Sequence, residues 1–277
     1  MSICLKIRSV IEFLLDVDPI AFSFWFFDVH WYALSYVCGI LFVYLYIGKV
    51  GRYLPDKKQL LETLTSWMVL GAVLGGRIAY VLLYNPGFYI QYPFEIIKIW
   101  HGGMSFHGGI VGAVACTWIV CRKHNVSFLP LTDMCACSAP VGIFLGRIAN
   151  LINGELYGKV TESCIGVVFS TDGKFLPRHP SQIYEAFCEG FMPFVALNLL
   201  FRYTKIKKYP GVLSSVFVFW YCAARCTIEL FREPDAHIGY VVGDWITVGM
   251  ILSVLALGLW VAVYIAVVKS SGVKTTD

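Results

Sequence analysis

Between Gly146 and Gly158 the chain reads GRIANLINGELYG, which sets Arg147, Asn150, Asn153 and Glu155 at the end of an otherwise apolar stretch that begins near Leu129. Arg147 and Asn150 are three positions apart, so a helix presents both on one face. An ionisable side chain at the centre of a membrane helix is disfavoured by at least about 2.5–3.5 kcal/mol, and such residues usually face an interior where binding or chemistry occurs. A second set, Tyr221, Arg225 and Glu229, recurs every four residues as a polar stripe on a helix of Val, Phe, Cys, Leu and Ala, with Arg232 and Glu233 just beyond. One reading of that stripe is an Arg225–Glu229 ion pair inside the bundle, whose net stabilisation is limited because desolvation offsets much of the attraction. Two Arg-plus-Glu sets at helix ends favour another, an anion site, since the guanidinium offers a planar donor fork that suits phosphate. The ligand implied is a phosphate-bearing lipid.

Smaller groups surround these. In HGGMSFHGGIVG, from His101 to Gly112, His107 stands between glycines that let a ligand or backbone approach closely. Its imidazole, titrating near neutrality, suits either a structural hydrogen bond or a general base. Tyr32, in His30-Trp31-Tyr32, fits an aromatic belt at the membrane interface or a substrate contact. RHPSQIYEAFCEG, from Arg178 to Gly190, opens a helix at Pro180 and adds Gln182, Tyr184 and Glu185 to the same rim. Arg77 is a further cation deeper in an apolar stretch.

The elements that must position these residues are membrane helices. Hydrophobic residues make up 58% of the chain and charged residues 14%, with mean hydropathy +0.68, well outside the range of soluble domains. Windows long enough for a bilayer core fall near 31–48, 63–84, 105–121, 131–152, 181–201, 211–231 and 244–268. The fold expected is an all-α integral membrane protein of about seven transmembrane helices in one domain, 1–277, with a small external head segment, 153–180, between the fourth and fifth. In that cap Cys164 to Ser170 is expected to form a short strand, followed by a turn at Thr171-Asp172-Gly173, while Gly154 ends the fourth helix. Glycines four apart, Gly71 and Gly75, Gly108 and Gly112, Gly142 and Gly146, permit close helix contacts.

The formal charge of +4 does not point to nucleic acid, because the basic residues collect in short loops between spans. Twelve Lys and Arg residues lie in 48–62, 121–124, 202–209 and the tail, against seven on the opposite side. The positive-inside rule puts the twelve in the cytoplasm, so the N-terminus is outside, the C-terminus inside and the polar sets near the outer leaflet. Glu12, Asp16 and Asp18 interrupt what would be the core of a cleaved signal peptide, so none is expected. The ten cysteines, scattered and without a CxxC pair, read as packing residues rather than disulfide or metal partners.

GGRIAYVLLYN at 75–85, GGMSFHGG at 102–109, GRIANLINGELYGKVT at 146–161, HPSQIYEAFCEG at 179–190 and FREPDAHIGY at 231–240 together resemble the bacterial prolipoprotein diacylglyceryl transferase family. Their order covers the chain from about His30 to Thr247; Ala79 and Ala149 stand where the family commonly has glycine. The resemblance implies transfer of an sn-1,2-diacylglyceryl group from phosphatidylglycerol to the lipobox cysteine thiol of a prolipoprotein signal peptide. A thioether forms and glycerol phosphate leaves, at the bacterial cytoplasmic (inner) membrane. By motif match the catalytic residues are His107, Arg147, Arg225, Glu155 and Glu229, and Arg147, Asn150, Gly158, Tyr221, Arg225, Arg232 and Tyr32 bind substrate. Arg147 and Arg225, assisted by Arg232, would hold the phosphate; His107 or a nearby carboxylate would take the thiol proton. No cofactor or metal is implied, and the partners are the two substrates and the lipid bilayer.

A transporter or flippase for an anionic lipid is the alternative, but its usual internal repeats are not visible, since the polar sets do not recur in matching halves. The orientation makes a direct prediction. An impermeant thiol probe applied to intact cells should leave Lys57→Cys unlabelled until the membrane is opened; labelling from outside would reverse the topology.

Overall fold

Within lipid every backbone polar group must find its partner inside its own segment, which leaves long apolar stretches little choice but helix. The computed structural model describes residues 3–25, 27–52, 54–234, 239–243 and 246–271. It is mostly helical: α1 Ile3–Leu15, α2 Trp31–Val50, α3 Lys57–Leu83, α4 Phe106–Lys123, α5 Phe128–Ile152, α6 Ser181–Tyr203, α7 Val212–Ile228 and α8 Val248–Ser271. Each expected window thus carries a helix. Five of them, α2, α3, α5, α6 and α8, are long and apolar enough to cross a membrane, while α7 is a shorter apolar helix of 17 residues. The chain is a multi-pass membrane protein. It divides into two compact units, 44–134 and 1–43 with 135–277.

In the unit 44–134, α3 and α4 meet through glycine. A Cβ on Gly71 would strike the carbonyl of Gly112, and one on Gly75 would strike Gly108 and Gly112, so the two GxxxG faces lie backbone to backbone. Arg77 is buried on α3 and fans out over carbonyls of the following loop, donating to Glu95 at 2.6 Å, Ile96 at 2.9 Å, Gly103 at 3.0 Å, Lys98 at 3.2 Å and also Gly102. It therefore shapes the 93–103 loop. Ser105 then caps α4, accepting from the amide of Gly108 at 3.3 Å.

In the other unit, Gly39 of α2 and Gly142 of α5 allow a similar backbone approach. α6 is not regular: residues Ala186–Phe191 form a π-helical stretch between two α-helical parts. Gly190 sits in that stretch against the backbone of Phe144 on α5, 2.8 Å from where its Cβ would lie to the Phe144 Cα, so only glycine fits without a shift. Around the segment 153–180, Ile11 of α1 joins Leu151, Val167 and Phe169 in a small apolar core. The strand expected from Cys164 to Ser170 shortens to Val167–Val168, paired antiparallel with Pro177–Arg178. Its partner ends in proline, which has no N–H to extend the ladder. The turn falls where expected, with Ser170–Asp172 in a 3-10 turn and Gly173 at φ +66°. Gly154, at φ +64°, follows the end of α5. One expectation fails: Cys164 is disulfide-bonded, since it lies outside the apolar spans where a thiol serves as packing, whereas eight other cysteines are free.

The glycine contact sets a test. Gly112→Leu should force α3 and α4 apart at a cost of about 1–3 kcal/mol or more, read as a lower melting temperature in detergent, while Gly87→Leu, which meets nothing, should leave it unchanged.

Candidate active site

Arg147 on α5 points at α6. Its Nη2 and Nε donate to Glu189 Oε2 at 2.8 and 3.2 Å, and its Nη1 lies 3.1 Å from Glu185 Oε2. Arg225 on α7 meets the same two carboxylates from another side: Nη1 bonds Glu185 Oε1 and stands 4.0 Å from Glu189 Oε1. Arg225 Nη2 also pairs with Glu229 Oε2 at 2.9 Å, and that oxygen is 3.6 Å from Arg232. Thr247 closes the far side by donating to Glu229 Oε1 at 2.7 Å. Gly249 leaves room there, since a Cβ would come within 3.3 Å of Arg225 Nη2. Tyr221, one turn before Arg225, lies in the electrostatic field of Arg147, Glu185, Glu189 and Arg225. Glu185 and Glu189 have no solvent exposure and Arg147 retains 16%.

The local fold explains how two glutamates four residues apart both reach these cations. The π turn widens α6 at Glu189, and such turns concentrate at functional sites. Gly190 seats that turn on Phe144, one turn from Arg147.

The remaining residues form a rim. Asn150 and Asn153 donate to Glu155 Oε1 at 2.8 and 3.1 Å, and Tyr32 interacts electrostatically with Glu155 and Arg147 while sharing a hydrogen bond with Tyr36 at 3.0 Å. Glu155 itself is exposed. Gln182 and Ser181 donate to the carbonyls of Glu155 and Leu156 at 2.7 and 2.8 Å, fixing the loop after α5, where Leu156 has φ +61°. Gly158 pairs across to Arg232, and a Cβ there would meet His179 and the carbonyl of Phe231. Its position therefore fastens the 153–180 segment to the end of α7. Arg178 completes the fastening with bonds to Asp172 at 2.7 Å, Gly158 O at 3.2 Å and Glu233 at 3.3 Å, its guanidinium lying over the Tyr157 ring. The Arg178 hydrogen bond holds the Asp172 carboxyl below its ordinary range, and burial lowers the His179 imidazole.

Of the residues expected from the sequence, Arg147, Tyr221, Arg225, Glu229 and Arg232 share one buried network, and Asn150, Glu155 and Tyr32 lie beside it. The arginines are not bare cations awaiting an anion, because each is paired with carboxylate. His107, at the start of α4 beyond its Ser105 cap, belongs to the unit 44–134. Sequence reasoning passed over Glu189, and gave Glu185 only a place on the rim. Their i,i+4 spacing inside an apolar helix was the available signal, matching the Arg and Glu spacing of the stripe on α7.

The fold and site define a multi-pass, mostly helical membrane protein with a buried ion network in its larger unit. A family model described as prolipoprotein diacylglyceryl transferase matches residues 19–266. Relatives named phosphatidylglycerol–prolipoprotein diacylglyceryl transferase include one from Anaplasma marginale (strain Florida), 51% identical over 91% of this chain and 89% of its own length. Others come from Ehrlichia ruminantium (strain Welgevonden), 47% identical over 90% and 96%, and from Wolbachia sp. subsp. Brugia malayi (strain TRS), 42% identical over 92% and 97%. The chain belongs to the prolipoprotein diacylglyceryl transferase family.

The Arg178–Asp172 pair generates a pH prediction. Because Asp172 is depressed in the folded state, its contribution is full above the ordinary aspartate value of about 4 and is lost as pH falls through the lower folded value. Hydrogen-exchange protection at Val167 and Val168 should drop in that acid window, and Asp172→Asn should show low protection at every pH.

Proposed function

We propose that this chain transfers the sn-1,2-diacylglyceryl group of phosphatidylglycerol to the lipobox cysteine of prolipoproteins, forming a thioether and releasing glycerol phosphate. The observation that carries this reading is the family membership, whose matched region contains the whole Arg147–Glu185–Glu189–Arg225–Glu229–Arg232 network. The names of the relatives favour a transferase over a lipid transporter or flippase.

The chemistry asks for two things. A thiolate is the nucleophile, so a base must take the thiol proton, and fixed donors must meet the charge that develops on the departing phosphate. Arg147, the partly exposed member of the network, receives the phosphate, with Arg225 and Arg232 behind it. Asn150, Tyr221 and Tyr32 orient the head group, with Glu155 and Gly158 at the rim and Glu229 holding Arg225. The thiol proton goes to His107 or to a nearby carboxylate. No cofactor takes part.

The chain works as a single domain in the bacterial inner membrane with seven spans, α4 and α7 joining the five longer helices. Its N-terminus is outside, its C-terminus is cytoplasmic and the site opens toward the outer leaflet. A disulfide at Cys164 supports an external 153–180 cap, because such bonds persist on the oxidising side of the membrane.

Purified protein incubated with phosphatidylglycerol and a lipobox peptide should raise the peptide mass by one diacylglyceryl group. An unchanged mass with lipid bound would sink the reading. Arg147→Ala and Arg225→Ala should each lower the rate by about 100-fold or more in protein that remains folded.

A further inference from the structure

Three carboxylates, Glu185, Glu189 and Glu229, face three guanidiniums, Arg147, Arg225 and Arg232, in one buried set. With every member ionised the set is neutral. A lipid phosphodiester seated on it brings a further negative charge into a place where an uncompensated ion is strongly disfavoured. Resting on the transferase reading, the question becomes which group absorbs that charge.

The carboxylates are not equivalent. Glu185 places Oε1 on Arg225 and Oε2 3.1 Å from Arg147. Glu229 receives Thr247 on Oε1 at 2.7 Å and holds Oε2 2.9 Å from Arg225. Glu189 engages a cation closely through Oε2 alone, at Arg147, while its Oε1 stands 4.0 Å from Arg225. Glu189 also feels the Glu185 carboxylate beside it, and its own charge acts on the Tyr221 phenol and the Cys188 thiol. Arg147 keeps 16% exposure, and of its two carboxylate partners Glu185 is also held by Arg225 whereas Glu189 has no second close cation, so Glu189 is the partner a phosphate displaces with least loss.

A phosphate taking the Arg147 fork displaces Glu189 Oε2 and leaves both oxygens without a close cation. A buried carboxylate in that state is stable only with a proton. We propose that seating of the lipid phosphate on Arg147 is coupled to uptake of one proton by Glu189, which hands that proton to the phosphate oxygen released in the reaction. The thiolate sulfur forms a bond to the glyceryl carbon as the carbon–oxygen bond breaks. The electron pair of that bond stays on oxygen, giving a phosphate monoester dianion, and the Glu189 proton makes it the monoanion. Glu189 returns to carboxylate and pairs again with Arg147, which expels the product. The thiol proton, taken by the base, goes to solvent and matches the one taken up at binding.

The test is calorimetric titration of the full chain in detergent with dioctanoyl phosphatidylglycerol, in two buffers of different ionisation enthalpy near pH 7, beside the peptide mass assay. The wild type should take up about one proton per lipid bound. Glu189→Gln, neutral and nearly isosteric, should bind the lipid with no uptake and transfer the diacylglyceryl group about 100-fold or more slowly at saturating lipid. Glu189→Asp, which keeps an acid on a shorter stem, should retain uptake. No proton uptake in the wild type, or equal uptake in Glu189→Gln, overturns the proposal, as does a Glu189→Asp protein that transfers at the wild-type rate without uptake. Uptake in a wild type that never modifies the peptide overturns the transferase reading instead.

Discussion

The structure of the larger unit depends on one constraint: guanidiniums and carboxylates withdrawn from water must meet each other. Breaking a buried pair by removing one partner costs about 3–5 kcal/mol, more than most single contacts are worth. Arg147, Glu185, Glu189, Arg225 and Glu229 therefore fix α5, α6 and α7 against one another more stringently than their apolar faces can, since lipid is as good a solvent for Leu and Val as another helix is.

Everything near the network serves that meeting. The π turn in α6 brings Glu189 round to Arg147, Gly190 lets the turn lie on the backbone of Phe144, and Gly249 leaves room beside Arg225 and Glu229. The motif HPSQ works one level further out. Ser181 and Gln182 hold the loop that follows α5, and Arg178, with Gly158, ties the 153–180 segment to the end of α7. In the other unit Arg77 plays an analogous part, spending its fork on loop carbonyls ahead of His107. An arginine inside an apolar span thus organises backbone in one case and balances carboxylate in the other.

The helices were legible because lipid permits so few backbone conformations: every apolar window became one. The polar residues of the site were legible as types, since an Arg, Asn or Glu in such a stretch demands a reason. Their partners were not. Arg225 and Glu229 follow from helical spacing, but Arg147 with Glu189 depends on a π turn and on the contact of Gly190 with Phe144, which no periodicity encodes. The Cys164 disulfide escaped for a related reason, because the spacing of scattered cysteines does not say which of them pair. In the 153–180 segment the β-branched run suggested a longer strand than the two-residue partner ending at Pro177 could support.

The order of the charges along the chain has a consequence for how the protein is made. Arg147 is synthesised before the two glutamates that neutralise it, and Arg225 only after them. When α5 is made its cation has no partner yet, and α6 brings two carboxylates for that one arginine, leaving one in excess until Arg225 follows. Neither reaches its final depth cheaply by itself. The charges of α5, α6 and α7 are fully matched only once all three helices are in place.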